Sequence, residues 1–320
     1  MNRLLRMSKN RRIFVYLAVI GVLLFLVLVA AGCGGKTAGT APPKEVKPLD
    51  KEMEPYYVDV AWLKENLSKV VVLDARSEKE YNEGHIPGAI NVTWQSLSNM
   101  TPKQGEAGWG VVLPQEELAK KIGSFGIDGS KPVIIYNDPK GLGEEGRVLW
   151  MLRIAGLKDT RMLNGGFPAW KAGGGEISKE VPAVKPVDFK ITSPDNSLLA
   201  TTDYIRSNMS KIKLVDARSI EEYTGKTNHG EKALGHIPGA ISIPYNNAYN
   251  SDGTIKSIAE LKEIFSKAGL DPSDDIVVYC TVGIRSGFLT EILRMCGYEK
   301  AKNYNASFSE WAGLGLPVEK

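Results

Sequence analysis

The chain has 320 residues, a formal net charge of +3, 43% hydrophobic residues and three cysteines. That length suits two domains with real cores, the composition excludes bulk disorder, and three cysteines exclude a disulfide framework. Arg3, Arg6, Lys9, Arg11 and Arg12 stand in residues 1–32 without an acid, so +3 less these five leaves −2 for the remainder, which excludes a nucleic-acid reading of the basic balance.

Residues 13–32, IFVYLAVIGVLLFLVLVAAG, follow these bases as an apolar run that ends in small residues. A positive start, an apolar centre and a small-residue end make a secretory signal peptide over 1–32. Ala30-Ala31-Gly32-Cys33, followed by Gly34-Gly35, resembles the lipobox of bacterial lipoproteins, with Ala30 where leucine is usual. The resemblance implies that cleavage frees Cys33 and that its thiol carries the lipid. An uncleaved anchor is the other reading, since about 20 apolar residues can span a bilayer. Both readings place the remainder outside the cytoplasm, tethered to a membrane on its periplasmic or cell-surface side. Arg11-Arg12-Ile13-Phe14 is faintly similar to a twin-arginine signal, and the very apolar run after it argues against that option. Residues 33–55 are small, Pro-rich and charged, and read as a flexible tether.

The rest is one unit written twice. Residues 70–90 read VVVLDARSEKEYNEGHIPGAI, and residues 213–241 repeat the pattern as KLVDARSIEEY, an insertion, and GHIPGAI. Glu116–Tyr136 gives an amphipathic helix, a Gly-Ile-Asp turn and a buried strand, and Glu260–Tyr279 matches it with Gly-Leu-Asp. Leu163-Asn-Gly-Gly-Phe-Pro-Ala-Trp170 then falls against Tyr304-Asn-Ala-Ser-Phe-Ser-Glu-Trp311. Continuous apolar strands alternating with amphipathic helices predict an α/β fold: two tandem units, each a mostly parallel central sheet flanked by helices. The units are placed at 56–171 and 199–320, each of about 120 residues, with a linker of Gly, Pro and Lys over 172–198.

The Asp-x-Arg, Glu-Tyr and Gly-His-Ile-Pro-Gly-Ala run, with the closing Phe-Ser-Glu-Trp, resembles the rhodanese (sulfurtransferase) family. In order and twice, these motifs cover nearly all of 56–320 as a tandem rhodanese.

The chemistry is sought where the copies differ, at the carboxyl ends of the strands. Val277-Val278-Tyr279 leads into Cys280-Thr281-Val282-Gly283-Ile284-Arg285 and a helix ending at Met295. In the first copy Ile134-Ile135-Tyr136 leads into Asn137-Asp138 and on to Arg147, a longer, acidic stretch without a thiol. The second copy is therefore expected to be catalytic and the first silent. A cysteine between a strand end and a helix N-terminus meets unpaired N–H groups and the positive end of the helix dipole, and Arg285 adds a full charge. All three favour the thiolate, so Cys280 is the expected nucleophile with Arg285 beside it. Thr281, Val282, Gly283 and Ile284 are the candidate substrate-binding loop, with Gly283 allowing the tight turn. Arg218 is added as a pocket candidate because it lies at a strand end near that loop.

The repeat also weighs the other polar residues. His85 and His236 occur in both copies, including the one without a nucleophile, so a scaffold role is expected. Asp74/Arg76 and Asp216/Arg218 are expected as buried ion pairs tying the strand end to the Glu-Tyr segment. Cys296 ends its helix about ten residues, or ~15 Å, from the loop, which forbids a disulfide to Cys280 and makes it a core residue. Tyr304, Phe308 and Trp311 read as packing. The insertion 224–234 carries Lys226, His229 and Lys232, which either steer an anionic donor or form a solvated loop.

The resemblance implies a ping-pong sulfurtransferase. Cys280 takes sulfane sulfur from a donor such as thiosulfate or 3-mercaptopyruvate, and passes it to cyanide or a thiol. No metal or cofactor is implied. Two departures leave the donor open: Glu222 stands where such enzymes often carry a substrate-binding Arg, and the loop after Cys280 matches neither the thiosulfate nor the mercaptopyruvate version. A persulfide carrier or redox sensor docking to a membrane partner is the alternative. A phosphatase of the related Cys-x5-Arg type is disfavoured, because Cys280 and Arg285 make Cys-x4-Arg.

Overall fold

The computed structural model describes residues 49–320. The signal segment and Cys33 lie outside the described residues. No helix among the described residues is long and apolar enough to cross a membrane.

Strands that read as unbroken β-branched runs are buried on both faces, as parallel sheets require. In the first copy these are β1 (Tyr57–Val58), β2 (Val71–Asp74), β3 (Ile90–Asn91), β4 (Val133–Tyr136) and β5 (Thr160–Leu163). They form a sheet in the order β1-β5-β4-β2-β3 with every pairing parallel. The second copy repeats it with β6 (Leu199–Ala200), β7 (Lys213–Asp216), β8 (Ile241–Ser242), β9 (Ile276–Tyr279) and β10 (Lys302–Tyr304), in the order β6-β10-β9-β7-β8 and again all parallel. The first copy's helices are α1 (Val60–Asn66), α2 (Glu78–Glu83), α3 (Gln115–Ser124), α4 (Glu144–Ile154) and α5 (Gly166–Ala172). The second copy's are α6 (Thr202–Asn208), α7 (Ile220–Tyr223), α8 (Ile258–Lys267), α9 (Ile284–Met295) and α10 (Ser307–Gly313).

The two copies share a core. Residues of α4 and α9 belong to one buried cluster, and α9 is buried on every face except at Arg294. A helix buried all round is an interior helix, and these two lie against each other with their polar side chains enclosed. Their approach is set by Gly146, where a Cβ would stand 2.5 Å from the Phe288 Cα. An ion pair crosses the seam, from Arg153 Nη1 to Glu291 Oε2 at 2.6 Å, with Glu291 fully buried. Glu145, also in α4, accepts a hydrogen bond from the Tyr249 hydroxyl at 2.8 Å. Burial raises the Glu145 carboxyl to about 7.

The paired histidines belong to the scaffold in both copies. His85 stacks on Tyr81 at 3.8 Å and His236 on Tyr223 at 3.7 Å, and each Nδ1 meets the carbonyl of its tyrosine. Arg76 and Arg218 grip Asp74 and Asp216 through paired bonds. Their remaining reach goes to the carbonyls of Gly84 and Gly235, so each pair ties its strand end to the Gly-His segment rather than to Glu-Tyr.

Two boundaries differ from the sequence reading. Residues 49–55, read as the end of the tether, are part of the fold. Met53 is buried, and Asp50 Oδ2 accepts from the N–H of Ile258 at the start of α8. A single core hydrophobe and one helix-capping carboxylate are too weak a signal to mark an edge in a polar stretch. The linker 172–198 lacks regular structure between α5 and Asp195, yet it is bonded to the first copy. Ser178 bridges His85, Val187 N–H donates to Gly123 O, and Asp195 N–H donates to Ile154 O. The chain end does the same for the second copy, where Glu319 bridges His236.

Candidate active site

Strand β9 delivers Cys280 at its carboxyl end, and the chain turns through Gly283 into α9. Gly283 adopts φ +86°, and a Cβ there would stand 2.4 Å from Asn305 O and 2.8 Å from Arg147 Nη1. Only glycine meets both demands. The turn aims the Gly283 N–H at Cys280 Sγ, at 3.2 Å, and the Ser286 hydroxyl lies 3.5 Å from the same sulfur. Cys280 is 1% exposed. Burial pushes its thiol up, but the Arg285 charge and the hydrogen bonds from Ser286 and Val282 outweigh it, and the pKa falls below the ordinary thiol value. Cys296 shows the opposite case: both thiols are free, but burial lifts Cys296 to about 12, so it remains an inert core thiol at the end of α9.

Arg285 is held more tightly than the sequence suggests. Its Nη1 and Nη2 donate to Glu222 Oε2 and Oε1 at 2.7 and 2.8 Å, and Nη2 also donates to Thr281 Oγ1 at 2.8 Å. Glu222 is fixed in turn by a capping box at the start of α7, in which Ser219 and Glu222 bond each other's backbone N–H. Ser-x-x-Glu, present in both copies, is the sequence form of such a cap. In the first copy the cap is exposed, whereas Glu222 is buried and its carboxylate turns on the active loop. Burial pushes the Glu222 carboxyl up, but its bonds to Arg285 pull it down to about 2.

The insertion sends an acid to the loop, while its bases are exposed, as in the solvated-loop alternative. Lys232 and His229 are exposed, whereas Glu231 is 6% exposed and accepts from Thr281 Oγ1 at 3.0 Å. The Glu231 carboxylate also lies 3.9 Å from Arg218 Nη1. His229 Nε2 lies 3.7 Å from Glu222 Oε1, so the ring sits at the rim of this carboxylate pair.

Of the other sequence candidates, Val282 and Ile284 turn their side chains into the shared core, which leaves their backbone for the loop. Arg218 spends its donors on Asp216 and Gly235 O and lies 4.1 Å over Phe308. It contributes to the wall behind the loop.

The closing segment does more than fill the core. Ser307 Oγ accepts from the Cys280 N–H at 3.1 Å, and Phe308 and Ser309 N–H groups donate to the carbonyls of Cys280 and Thr281. Ser307 has φ +57°, the only positive φ at a non-glycine among the described residues. Gly166, its match in the first copy, has the same φ and carries no side chain that could accept from Asn137, the counterpart of Cys280. A strained serine where glycine is free is the signal that would have marked this position. Among the described residues no cluster of three or more His, Cys, Asp or Glu side chains is placed to hold a metal ion.

A family model for the rhodanese-like domain matches residues 59–173 and 201–314. The chain belongs to the rhodanese family. It is 34% identical to the sulfur carrier protein TtuD of Thermus thermophilus over 284 residues, covering 82% of this chain and 96% of that protein. It is 32% identical to a Saccharopolyspora erythraea protein named "Putative thiosulfate sulfurtransferase", over 83% of this chain and 96% of the relative. The crystal structure of the anaerobic ergothioneine biosynthesis enzyme from Chlorobium limicola, in complex with trimethyl histidine, superposes with a TM-score of 0.76 at 25% identity. That match covers 85% of this chain and 72% of the other. The tandem rhodanese architecture thus agrees with the two sheets and the doubled motifs.

Proposed function

We propose that the protein is a sulfurtransferase that carries sulfane sulfur on Cys280. The observation that carries the reading is the contrast between the copies: a buried thiol with lowered pKa under a glycine N–H in one, and Asn137 at the same place in the other. The Cys280 thiolate attacks the outer, sulfane sulfur of thiosulfate, or the thiol sulfur of 3-mercaptopyruvate, whose C–S bond then breaks as the pyruvate enolate leaves with the electron pair. With thiosulfate, the new Sγ–S bond forms as the bond to the sulfonate breaks, and sulfite leaves with the electron pair. Cyanide or a thiolate then attacks the outer sulfur, and the Cys280 thiolate leaves. The Gly283 N–H and the Ser286 hydroxyl are placed to stabilise sulfur anions at each stage. The Cys-x4-Arg spacing of Cys280 and Arg285 is one residue shorter than the Cys-x5-Arg of the related phosphatases, which disfavours phosphatase chemistry.

The relative named a sulfur carrier supports a second reading, in which Cys280 holds sulfur for a partner without turnover of its own. The two separate cleanly. Full-length chain supplied with thiosulfate and cyanide is expected to form thiocyanate. Persulfidation of Cys280 without thiocyanate, and without turnover of 3-mercaptopyruvate, selects the carrier. Hydrolysis of p-nitrophenyl phosphate that depends on Cys280 contradicts both.

Donor choice follows from charge. Arg285 is paired with Glu222, and Glu231 adds a second carboxylate on Thr281, so a dianionic donor approaching Thr281 meets two carboxylates. Glu222→Gln is expected to raise kcat/KM for thiosulfate by about tenfold, because like-charge juxtaposition is costly. An unchanged or lower value means that Glu222 does not repel the donor. The chain is also proposed to be lipid-anchored through Cys33 on the outer side of a membrane. Incorporation of labelled palmitate, lost in Cys33→Ala, is the expected result, and incorporation that survives the substitution rules out Cys33 as the site.

A further inference from the structure

The silent copy sends one charged side chain to the active loop. Arg147, in α4, is fully buried. Its Nη1 donates to Gly283 O at 3.3 Å and its Nη2 to Gly110 O at 2.8 Å, while Nε has no partner. No carboxylate lies within ion-pair distance of it among the described residues. Its guanidinium lies 4.8 Å from the Trp150 ring, its one further compensation. A buried guanidinium without an anion is unfavourable unless a counter-charge is supplied nearby. Burial lowers the Arg147 pKa to about 9, and the charge of Cys280 opposes that fall.

The position is built into the repeat. Counting from the left-handed glycines 143 and 283, Arg147 and Gly287 hold equivalent places in α4 and α9. A Cβ at Gly287 would stand 3.2 Å from Arg147 Cα and 3.3 Å from Arg147 Cδ. The glycine of one copy therefore leaves the space that the arginine of the other fills. At the near end, Gly283 offers its carbonyl to Arg147 and its N–H to Cys280 Sγ. One residue thus joins the cation to the sulfur. The other groups that act on Cys280 are Arg285, already paired with Glu222, the Ser286 hydroxyl, the backbone N–H groups of Val282, Gly283 and Ser286, and the phenol of Tyr245. Arg147 is the cation among them that has no carboxylate of its own.

We infer that Arg147 is a positioning residue that fixes Gly283 and serves as the counter-charge for the Cys280 thiolate and persulfide, so that the copy lacking a nucleophile completes the site of the other. The inference rests on Cys280 being the reacting thiol. It gives the close seam between α4 and α9 a use, since Gly287 leaves the space in which Arg147 reaches Gly283.

The test reads the thiol itself. Full-length chain is alkylated with iodoacetamide across a pH series, and the Cys280 peptide is quantified by mass spectrometry, which separates it from Cys33 and Cys296. Arg147→Met is expected to raise the midpoint by about one pH unit. Arg147→Lys, which keeps the charge, is expected to stay closer to the native midpoint than Arg147→Met does. If Arg147→Met does not fold, Arg147→Gln takes its place in the comparison with Arg147→Lys. A midpoint that is unchanged in the neutral variant, with only a lower melting temperature, overturns the inference. A lysine variant displaced as far as the neutral one overturns it too, since shape rather than charge then sets the thiol. Alkylation needs no sulfur donor, so a chain without turnover refutes the proposed activity while leaving this readout intact.

Discussion

Cys280→Ser is expected to abolish sulfur transfer while the chain stays folded. Serine is smaller than cysteine by little, and its hydroxyl can accept the Gly283 N–H bond that Sγ accepts now. The site is buried but not under strain from the sulfur, so the stability change should stay within about 1 kcal/mol. The hydroxyl has neither the acidity to ionise there nor the ability to hold a transferable sulfur atom. Thiocyanate formation should fall to the uncatalysed rate, with a denaturation midpoint moved by no more than that small stability change. Substantial remaining turnover places the reacting group elsewhere.

Arg285→Met carries the next largest effect, and it strikes twice. It leaves the Glu222 carboxylate buried without its fork of donors, and breaking a buried pair by removing one partner costs about 3–5 kcal/mol. It also removes the charge that does most to lower the Cys280 thiol against burial. Turnover at neutral pH should fall and the pH profile of the rate should move to higher pH. The pair makes a second, independent signature in acid. Glu222 is depressed from 4.5 to about 2, so the stability it contributes is present above 4.5 and is lost as pH falls through 2. The native chain should show that loss in acid denaturation, and Arg285→Met should not. A variant as stable as the native chain, with the same acid limb, contradicts the buried pair.

The sequence was legible where local pattern decides the structure. Doubled strand runs set the two parallel sheets, and the cysteine between Tyr279 and a glycine turn marked the loop without help from any contact. The repeat also sorted His85 and His236 into the scaffold, because a residue kept in a copy without a nucleophile answers to packing. What escaped depends on segments far apart in the chain. Thr281 meets Glu231 across 50 positions and Arg147 meets Gly283 across 136, and no periodicity encodes such a meeting. The insertion drew attention by its lysines and histidine, whereas the residue that folds back to the loop is Glu231. Charge counted along a sequence does not say which side chain is inside. Glu222 was noticed as a departure from the family pattern, but its partner could not be read: a capping glutamate looks the same whether its second oxygen faces water or Arg285. Ser307 drew no notice, because the exchange of serine for Gly166 between the copies gains meaning only once the φ of +57° is seen.

The most direct measurement is the mass of the cysteine peptides after full-length chain is incubated with a sulfane donor and then with an acceptor thiol. Thiosulfate, 3-mercaptopyruvate and a small-molecule persulfide serve as the donors. One added sulfur should appear on the Cys280 peptide and not on the Cys296 peptide, and it should disappear on addition of the acceptor. Sulfur loaded on another residue, or a Cys280 that no donor loads, contradicts the persulfide chemistry on which the reading rests.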